Sequence, residues 1–527
     1  MKRRTFIKAG GIAGAAVAFP AITRAASGQK IRMGFIGVGN RGTQLLHLFL
    51  RNPAVEVTAL CDVYEPFLRR DESAFDPRFL EWGLKGRVPS FRGPDGAPKP
   101  EEAAIAARVA AGTCRLYKDW RELLADPAVD AVCIATPDHW HAYMCVEAMK
   151  HGKDVYCEKP LTFCVDEARK VIAAQAKYGR VFQTGSMQRC WPEFRTAVMI
   201  VRNGFIGEIT DVEANYGRGG QKLGGPSHPI RFFDDPKNAA KEGRPAPHID
   251  WDMWLGPAKW RPYSDQLAPR GTNESYPMFW RFDDDFGTGY NGDWGAHHLD
   301  IAQWGLDMDK SGPYKIIRSD EPHSTDLFHG GRRQFGMKML FKNKQGHDVE
   351  LYHGPFGTWG TVFYGTEGIV AVNRGKIAVW KGKGVRPTPE IRKQIADMKF
   401  TGMEVVAASV GKDYGTDAVS KKDNRLDAAI KKLVAYFKLD KAPVQVYKTT
   451  SRSQVENFLQ HIEDRKPTAS PAETGGRSAI LCQLCNMSYV YDTGFDWDPI
   501  ANDFANGTGK GISLKRDFCR NGWEVVV

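Results

Sequence analysis

The sequence lacks an apolar run long enough to cross a membrane, which would need roughly 18 or more residues. It also lacks basic runs with interleaved aromatics, and a net charge of +11 over 527 residues is too mild to predict nucleic-acid binding. The ten cysteines lack the dense spacing of a disulfide framework, and the single pair Cys482 and Cys485 favours core packing over metal or redox work. Apolar residues make up 42% of the sequence, which is enough for a large core in two or three domains.

The first 26 residues have the pattern of a twin-arginine export signal. Arg3 and Arg4 precede a weakly apolar run, and small residues follow before Ser27. The run is too short and too rich in glycine and alanine to anchor the chain stably in a membrane. The segment holds five basic residues and no acid, so its removal would lower the net charge from +11 to +6. We expect export by the twin-arginine machinery to the periplasm; the alternative is a basic, frayed N-terminus.

A glycine-rich turn follows the first predicted strand. In KIRMGFIGVGNRG the strand runs into the turn, and a helical stretch and a second strand, VEVTALCD, come next. This order, with an acid closing the second strand, is typical of a dinucleotide-binding fold. Asp62 would accept from both ribose hydroxyls and repel a 2′-phosphate, so NAD is favoured over NADP. The predicted cofactor contacts in this region are Gly37, Gly39, Asn40, Arg41, Gly42 and Asp62.

The strand and helix patterns divide the chain into two domains. Alternating strands and helices over residues 28–189 predict an α/β Rossmann fold with a doubly wound parallel sheet and a surface insertion at about 72–112. Alternating apolar and polar residues over 190–454 predict an α+β domain with a large, mostly antiparallel open sheet. Exposed insertions are predicted there at about 217–290 and 383–424. Residues 455–527 are predicted as C-terminal helices and a tail.

Two strands of the predicted parallel sheet end in the polar motifs ATPDHWHA and YCEKP. Such strand ends share one edge of the sheet, where ligands bind, although a helix N-cap is the alternative for the first motif. Lys159 beside a nicotinamide would have its pKa lowered and could share a proton with a substrate hydroxyl; the alternative is a solvated lysine. Pro160 favours a cis bond that aims this lysine. The predicted cofactor contacts here are Thr136, Pro137, His139, His141, Glu158 and Lys159.

The stretch GYNGDWGAHHLDIAQWGL, residues 289–306, has a helical pattern with two adjacent histidines. On a regular helix, Asp293, His297 and Asp300 share one face, whereas His298 points away from them. The His-His pair is therefore a poor chelate, and we predict no metal. A carboxylate one turn before His297 could orient its imidazole for proton transfer. A core histidine satisfied by a neighbouring acid is the alternative.

Taken in order, nine motifs resemble the Gfo/Idh/MocA oxidoreductases, a family named for glucose-fructose oxidoreductase and inositol dehydrogenase. They are GFIGVGNRG, ALCD, ATPDHWHA, YCEKPLT, QTGSMQR, NGFIGEITDVEANY, WDMWLGP, GDWGAHHLD and FYGTEGIVAV. The resemblance implies that Lys159 works with the pair Asp293 and His297. The family more often has Gly-x-Gln in the fifth motif, so Gln188, which is displaced by one residue, is a cofactor contact that departs from the pattern.

The resemblance implies hydride transfer between a sugar or cyclitol hydroxyl and tightly bound NAD. His297 would take the hydroxyl proton, Asp293 would orient His297 and bind a neighbouring hydroxyl, and Lys159 would stabilise the alkoxide. Trp280, Arg281 and Asp300 are predicted substrate contacts. The alternatives are an NAD-dependent glycoside hydrolase, acting by transient oxidation, elimination and hydration, and a non-catalytic NAD-bound sugar-binding protein. An exposed face of the second sheet makes a homo-oligomer the expected assembly.

Overall fold

The structure is a computed structural model. This structure describes residues 29–75, 91–216, 248–264, 267–268, 279–318, 337–354, 359–410, 424–446, 453–520 and 522–527. The predicted export signal and parts of all three predicted insertions lie outside these described residues.

The N-terminal domain is built on a six-stranded sheet in the order β3-β2-β1-β4-β5-β6, with its paired strands parallel. This confirms the predicted doubly wound fold, whose order reverses between β1 and β4, so a crevice opens at the carboxyl ends of these strands. The strands are β1 Ile31–Ile36, β2 Val55–Cys61, β3 Arg115–Tyr117, β4 Ala131–Ile134, β5 Asp154–Cys157 and β6 Phe182–Thr184. The helices are α1 Asn40–Leu50, α2 Glu65–Arg69, α3 Pro100–Ala110, α4 Trp120–Ala125, α5 His141–Lys150 and α6 Val165–Tyr178.

The second domain is built on a ten-stranded sheet in the order β14-β13-β12-β11-β7-β10-β9-β8-β15-β16, and only the β7–β10 pair among these described strands is parallel. The predicted, mostly antiparallel sheet is confirmed. The strands are β7 Ile209–Asn215, β8 Lys315–Ile317, β9 Lys338–Lys342, β10 Asp348–Gly354, β11 Thr361–Gly365, β12 Gly368–Asn373, β13 Lys376–Lys381, β14 Glu404–Val410, β15 Phe495–Asp498 and β16 Asp503–Phe504.

The helices that follow β6 in the chain cover parts of both faces of this sheet and part of the Rossmann domain. They are α7 Pro192–Arg202, α8 Trp251–Leu255, α9 Phe279–Phe282, α10 Ala296–Gly305, α11 Pro389–Ala396, α12 Asn424–Phe437, α13 Gln454–Asp464 and α14 Ala472–Val490, with a π-helical turn at Asn291–Gly295. Short 3₁₀ turns lie at Glu72–Ala74, Asp138–Trp140, Met187–Cys190 and Leu439–Lys441. In the described part of the chain, no helix is both long enough and apolar enough to span a membrane.

The largest core lies where α7, α10 and α14 pack on one face of the ten-stranded sheet. Phe194, Leu299 and Leu484 from the helices meet Val212 and Phe363 from the strands, and all five are fully buried. The C-terminal helices do not form a separate layer. Helix α13 enters the Rossmann core, and α14 packs on both α6 and α10. The two domains are therefore joined by shared cores around the site.

The opposite face of the large sheet is covered by the chain itself. Ile395 of α11 packs in one cluster with Tyr364 and Trp380. Arg386 and Arg392 form ion pairs with acids of β7 on the same face. Two charged residues of the predicted exposed insertion thus pair with the sheet, whereas others, such as Lys393 with a side chain 77% exposed, face water.

The cysteines behave as small core side chains. All ten lie in the described part of the chain and carry free thiols. Cys482 and Cys485 are fully buried in α14 within the largest core, as their helical pattern predicts. Burial raises the pKa of the Cys485 thiol well above its ordinary value.

Candidate active site

One cavity connects the glycine turn of the Rossmann domain with the start of α10. Most of the residues that the sequence predicts for the site line it, whereas five do not. The predicted residues that line it are Gly37, Gly39, Asn40, Arg41, Asp62, Thr136, Pro137, Glu158, Lys159, Trp280, Arg281, Asp293 and His297. The five that lie elsewhere are Gly42, His139, His141, Gln188 and Asp300.

The glycine turn has no room for side chains. Gly37 has a φ of +80°, and a Cβ there would lie 2.9 Å from the backbone carbonyl carbon of Ala135. A Cβ on Gly42 would lie 1.9 Å from the carbonyl oxygen of Gly37, so α1 can approach β1 only with glycine at this position. Gly42 therefore supports the turn from behind, while Gly39 and the first residues of α1 face the cavity. A helix N-terminus at this place favours an anion.

An ion pair ties the turn to the next strand end. Arg41 Nε donates to Glu158 Oε1 over 2.9 Å, and both side chains line the cavity. Because Glu158 directly follows β5 and Arg41 belongs to α1, the pair fixes the width of the crevice between these elements.

Asp62 lies where the second strand opens into the cavity. Its Oδ2 accepts from the Val38 N–H over 2.8 Å and its Oδ1 from the Tyr64 N–H over 2.9 Å. Burial raises the pKa of this carboxyl to about 6, against the two backbone hydrogen bonds, which favour the ionised form. Each carboxylate oxygen keeps a second lone pair, which could accept from a ribose hydroxyl.

The two histidines of ATPDHWHA support the cavity without lining it. His141 lies between two strand ends, with Nδ1 2.7 Å from the Pro160 carbonyl oxygen and Nε2 2.9 Å from that of Thr136. His139 is fully buried, and its Nε2 lies 3.0 Å from the Trp254 carbonyl oxygen. The predicted cofactor contacts at these two positions are thus replaced by contacts that hold the cavity walls, because both side chains turn inward at the start of the helix.

Lys159 and Asp293 form the polar centre of the cavity. Lys159 Nζ donates to Asp293 Oδ1 and to the Asp293 carbonyl oxygen, each over 2.6 Å. Arg281 Nε lies 3.9 Å from the other carboxylate oxygen. Although burial opposes it, these two cations hold the pKa of the Asp293 carboxyl below its ordinary value. The peptide bond between Lys159 and Pro160 is cis, in agreement with the prediction.

The helix that carries the histidines is not regular. A π-helical turn occupies Asn291–Gly295, and α10 begins only at Ala296. Asp293 and His297 both line the cavity, but the carboxylate of Asp293 pairs with Lys159, and His297 Nδ1 has no hydrogen-bond partner among the described residues. The predicted orientation of His297 by Asp293 is therefore not seen.

His297 is held as a neutral imidazole. Its pKa lies well below the ordinary 6.5, first because the ring is buried and then because Arg374 and Lys159 are close cations. A neutral ring with an unpaired nitrogen in a cavity can accept a proton. His298 is also buried, but it stacks on Trp294 and lies against Gly360, away from the cavity.

Two predicted site residues belong to the surrounding core. Asp300 accepts a bidentate pair of bonds from Arg189, each over 2.8 Å, and a bond from Ser478. The π-helical turn shifts Asp300 away from the face of Asp293, which is why the prediction from a regular helix was wrong here. Gln188, in the amide orientation that satisfies both of its ends, donates to the His297 carbonyl oxygen and accepts from Arg374 Nε.

Several lining residues come from parts of the chain that sequence patterns do not connect with the site. Arg374, in the turn between β12 and β13, is 1% exposed, and its guanidinium lies 4.7 Å from the Trp294 ring centroid. Met253 and Trp254 come from α8, within a predicted insertion. The motif WDMWLGP contributed to the resemblance to the family, but it did not predict that its residues line the cavity. Arg281 stacks on Trp280 at 4.3 Å, and both line the predicted substrate end.

The donor set fits a dinucleotide. The cavity begins at a turn where only glycine fits and continues past the carboxyl group of Asp62. It ends at the Lys159–Asp293 pair and at His297. Elsewhere, carboxylate oxygens of Asp283, Asp284 and Asp285 lie within 4.8 Å of one another, and Arg261 pairs with two of these acids. That arrangement is explained without an ion, and the absence of a metal stays a prediction.

Two family models match the chain. The first is described as "Oxidoreductase family, NAD-binding Rossmann fold" and matches residues 96–186. The second is described as "Oxidoreductase family, C-terminal alpha/beta domain" and matches residues 230–347. NAD is therefore the cofactor of the Rossmann domain.

Curated relatives match parts of the chain. A Glycosyl hydrolase family 109 protein of Stenotrophomonas maltophilia is 31% identical over 216 residues, which are 41% of this chain and 42% of that protein. Inositol 2-dehydrogenase of Mycolicibacterium smegmatis is 40% identical over 106 residues, which are 20% of this chain and 31% of that protein. The chain thus matches less than half the length of either relative.

Among solved structures, levoglucosan dehydrogenase in complex with NADH and levoglucosan is similar over 89% of this chain and 99% of that chain, with 17% identity and a TM-score of 0.49. The residues that the two models match, 96–186 and 230–347, belong to the Gfo/Idh/MocA oxidoreductase family, and the family motifs around Gly37, Lys159 and His297 lie along one cavity.

Proposed function

We propose that the protein is an NAD-dependent oxidoreductase that moves a hydride between a sugar or cyclitol hydroxyl and NAD. The observation that carries this proposal is that Lys159, Asp293 and His297 line the same cavity as the glycine turn. When bound, NAD supplies the hydride acceptor or donor at its nicotinamide ring. The residues of the chain must then bind the sugar, hold its carbinol carbon in place and move one proton.

His297 takes the hydroxyl proton in this proposal. Its ring is neutral and has a nitrogen without a hydrogen-bond partner among the described residues, so it can accept a proton. Lys159 stabilises the oxygen as it becomes an alkoxide, since its ammonium group already lies at the polar centre. Asp293 acts on Lys159 instead of on His297, because its carboxylate accepts from the ammonium group over 2.6 Å. Trp280 and Arg281 offer a ring face and donors for sugar hydroxyls.

A second candidate is an NAD-dependent glycoside hydrolase, in which one glycoside is oxidised, eliminated, hydrated and reduced again. It is favoured by relatives at 30 to 32% identity that are named Glycosyl hydrolase family 109 proteins. The same three site residues serve both candidates. A non-catalytic, NAD-bound sugar-binding protein is the third.

Product analysis separates the three candidates. The purified protein is incubated with a panel of free sugars, cyclitols and aryl glycosides, and the products are identified by mass spectrometry. Keto-sugars with NADH formation support the oxidoreductase. Released aglycone without net oxidation supports the hydrolase, and unchanged substrates that bind support the sugar-binding protein. A Lys159→Ala variant is the matched control, because it removes the ammonium group and leaves the glycine turn intact.

We infer from the sequence that the protein is exported by the twin-arginine machinery to the periplasm with NAD already bound. The signal lies outside the described residues, so the proposal rests on Arg3 and Arg4 and the small residues that follow. Changing both arginines to lysine should leave folded precursor in the cytoplasm. Normal periplasmic accumulation of that variant would contradict the proposed export signal.

A homo-oligomer also stays a proposal, and the structure limits which surface could form it. Of the sheet face from which an interface was expected, the part on β11–β13 is covered by α11 of the same chain, whereas Lys338 and Glu350 on β9 and β10 stay partly exposed. An oligomer would have to use another surface or dock onto α11. Light scattering coupled to size-exclusion chromatography tests this, and a monomeric mass at micromolar concentration would contradict the proposal.

A further inference from the structure

A short segment of the chain forms one wall of the NAD cavity. We call residues 248–258 the strap; it contains α8. Ile249, Met253 and Trp254 of the strap line the cavity together with Tyr64 and Phe67 of the Rossmann domain. Since these latter residues follow Asp62, the strap lies over the part of the cavity that would hold the adenosine half of the cofactor.

One edge of the strap is joined to the Rossmann domain by backbone bonds. Glu65 N donates to the His248 carbonyl oxygen, and Asp250 N donates to the Val63 carbonyl oxygen, each over 2.9 Å. Tyr64 and Ile249 form an isolated β-bridge between these two bonds. This edge is therefore a short stretch of antiparallel β-pairing, held by two backbone hydrogen bonds.

At the other edge, one arginine makes four hydrogen bonds to the strap. Arg520 Nε donates to the Gly256 carbonyl oxygen over 2.6 Å, Nη2 donates to the Asp252 carbonyl oxygen over 2.9 Å, and Nη1 donates to the Asp252 carboxylate. The backbone N–H of Arg520 adds a bond to the Pro257 carbonyl oxygen over 3.1 Å. A single residue thus satisfies several carbonyl groups of the strap where its helix ends.

The segment that carries Arg520 is itself fixed to the Rossmann domain. We call residues 516–520 and 522–525 the clasp. Arg516 forms a buried ion pair with Glu167 of α6 over 2.6 Å and donates to the His139 carbonyl oxygen over 2.7 Å. Trp523 packs edge-on against Trp140, at 4.9 Å between ring centroids. The clasp therefore has a firm base from which Arg520 reaches the strap.

The strap and the clasp meet at Trp140, which also lines the cavity. Trp140 Nε1 donates to the Trp254 carbonyl oxygen over 3.2 Å. A Cβ on Gly256, whose φ is +52°, would lie 2.2 Å from the Trp140 ring, so the strap lies directly on this ring. Release of the strap would thus open the adenosine part of the cavity.

We propose that the clasp controls the exchange of NAD by holding the strap closed, and that Arg520 is the positioning residue that connects the two. The proposal rests on NAD as the cofactor and is independent of the reaction that follows. Bound NAD would be retained while the strap is held, and would exchange when the bonds of Arg520 break.

Three variants test the proposal. Arg520→Ala removes the three side-chain bonds of Arg520 to the strap, and Asp252→Ala removes only the carboxylate, which is 71% exposed. Lys515→Ala removes a nearby exposed positive charge as the matched control. Because bonds from a charged donor are being lost, we expect NAD to leave Arg520→Ala about 10- to 100-fold faster, and Asp252→Ala at most a few-fold faster. The control should match the parent protein.

Two measurements distinguish a positioning role from simple destabilisation. Hydrogen–deuterium exchange of strap peptides should rise in Arg520→Ala with NAD removed, while peptides of β1 and β4 stay protected. The Kd for NAD should rise, while kcat at saturating NAD stays unchanged. Unchanged strap exchange, or unchanged NAD release from a folded Arg520→Ala protein, would overturn the proposal. If Arg520→Ala fails to fold, Arg520→Gln, which keeps an amide donor, is measured in its place with the same criteria. If no sugar reduces NAD and these results hold, only the proposed reaction fails.

Discussion

Replacing His297 with alanine tests the proposed proton acceptor directly. The ring lines the cavity, is buried, and has no hydrogen-bond partner at Nδ1 among the described residues, so its removal takes away a base without breaking a side-chain pair. A general base contributes about 10²- to 10⁴-fold to the rate. We therefore expect kcat to fall on that scale, a barrier increase of about 3 to 5 kcal/mol, while NAD stays bound.

The same variant at the neighbouring position is the control. His298 stacks on Trp294 and lies against Gly360, outside the cavity. His298→Ala should leave a void in the core and lower the free energy of unfolding by about 1 to 3 kcal/mol, with a much smaller effect on kcat. Both variants are compared by NADH formation, retained NAD and urea unfolding. Full activity in a folded His297→Ala protein would refute the assignment.

The pH dependence of the parent enzyme gives an independent check. Because burial and the cations Arg374 and Lys159 lower the pKa of His297, the ring loses its accepting ability only when the pH falls well below 6.5. The acid limb of kcat should therefore lie below pH 6.5. A limb at or above that value would mean that the base is a histidine in an ordinary environment, and would contradict the buried position of His297.

Three further predictions follow from single residues. The carboxyl group of Asp62, whose pKa is raised to about 6, is ionised above that pH. Fluorescence titration should therefore show that NAD binding weakens below about pH 6, and Asp62→Asn should remove this pH dependence. An unchanged pH profile in the variant would mean that another residue binds the ribose hydroxyls. Asp300→Ala leaves the buried Arg189 with Asp309 as its remaining carboxylate partner and should cost about 1 to 3 kcal/mol in urea unfolding with KM unchanged, whereas a raised KM at full stability would support a substrate contact. Gly42→Ala brings a methyl group to within 1.9 Å of the Gly37 carbonyl oxygen, so NAD retention after gel filtration should be lost; retained NAD would show that the turn can relax.

Local sequence rules predicted the parts of the site that depend on short-range geometry. The turn at Gly37 and Gly42 needs glycine because of backbone contacts within a few residues, and these contacts leave a readable pattern. Lys159 follows a strand whose carboxyl end must face the crevice, so its place was predictable from strand order alone. The resemblance to a family then connected Lys159 with Asp293 and His297, which lie more than a hundred residues away.

The rest of the site depends on long-range packing that no local pattern records. Arg374 comes from an ordinary turn between two strands, and only the order of the large sheet places it beside His297. Arg520 lies in a charged stretch that reads as an exposed tail, yet its bonds reach residues more than 250 positions away. The partner of Asp300 was missed for a different reason, since helical spacing was applied across a turn that is not α-helical.

The π-helical turn at Asn291–Gly295 sets where Asp293 lies relative to the helix that carries His297. Such a turn accommodates one residue more than an α-helical turn does. Deleting that one residue, for example Gly292, would let the segment close as a regular helix and rotate everything before or after it by about 100° relative to the rest. Asp293 lies within this turn, so its carboxylate would then be displaced relative to Lys159, although Asp293 and His297 would still share one face of the regular helix. A gain or loss of one codon at this place could therefore switch the active site off while both sheets and their cores stay intact.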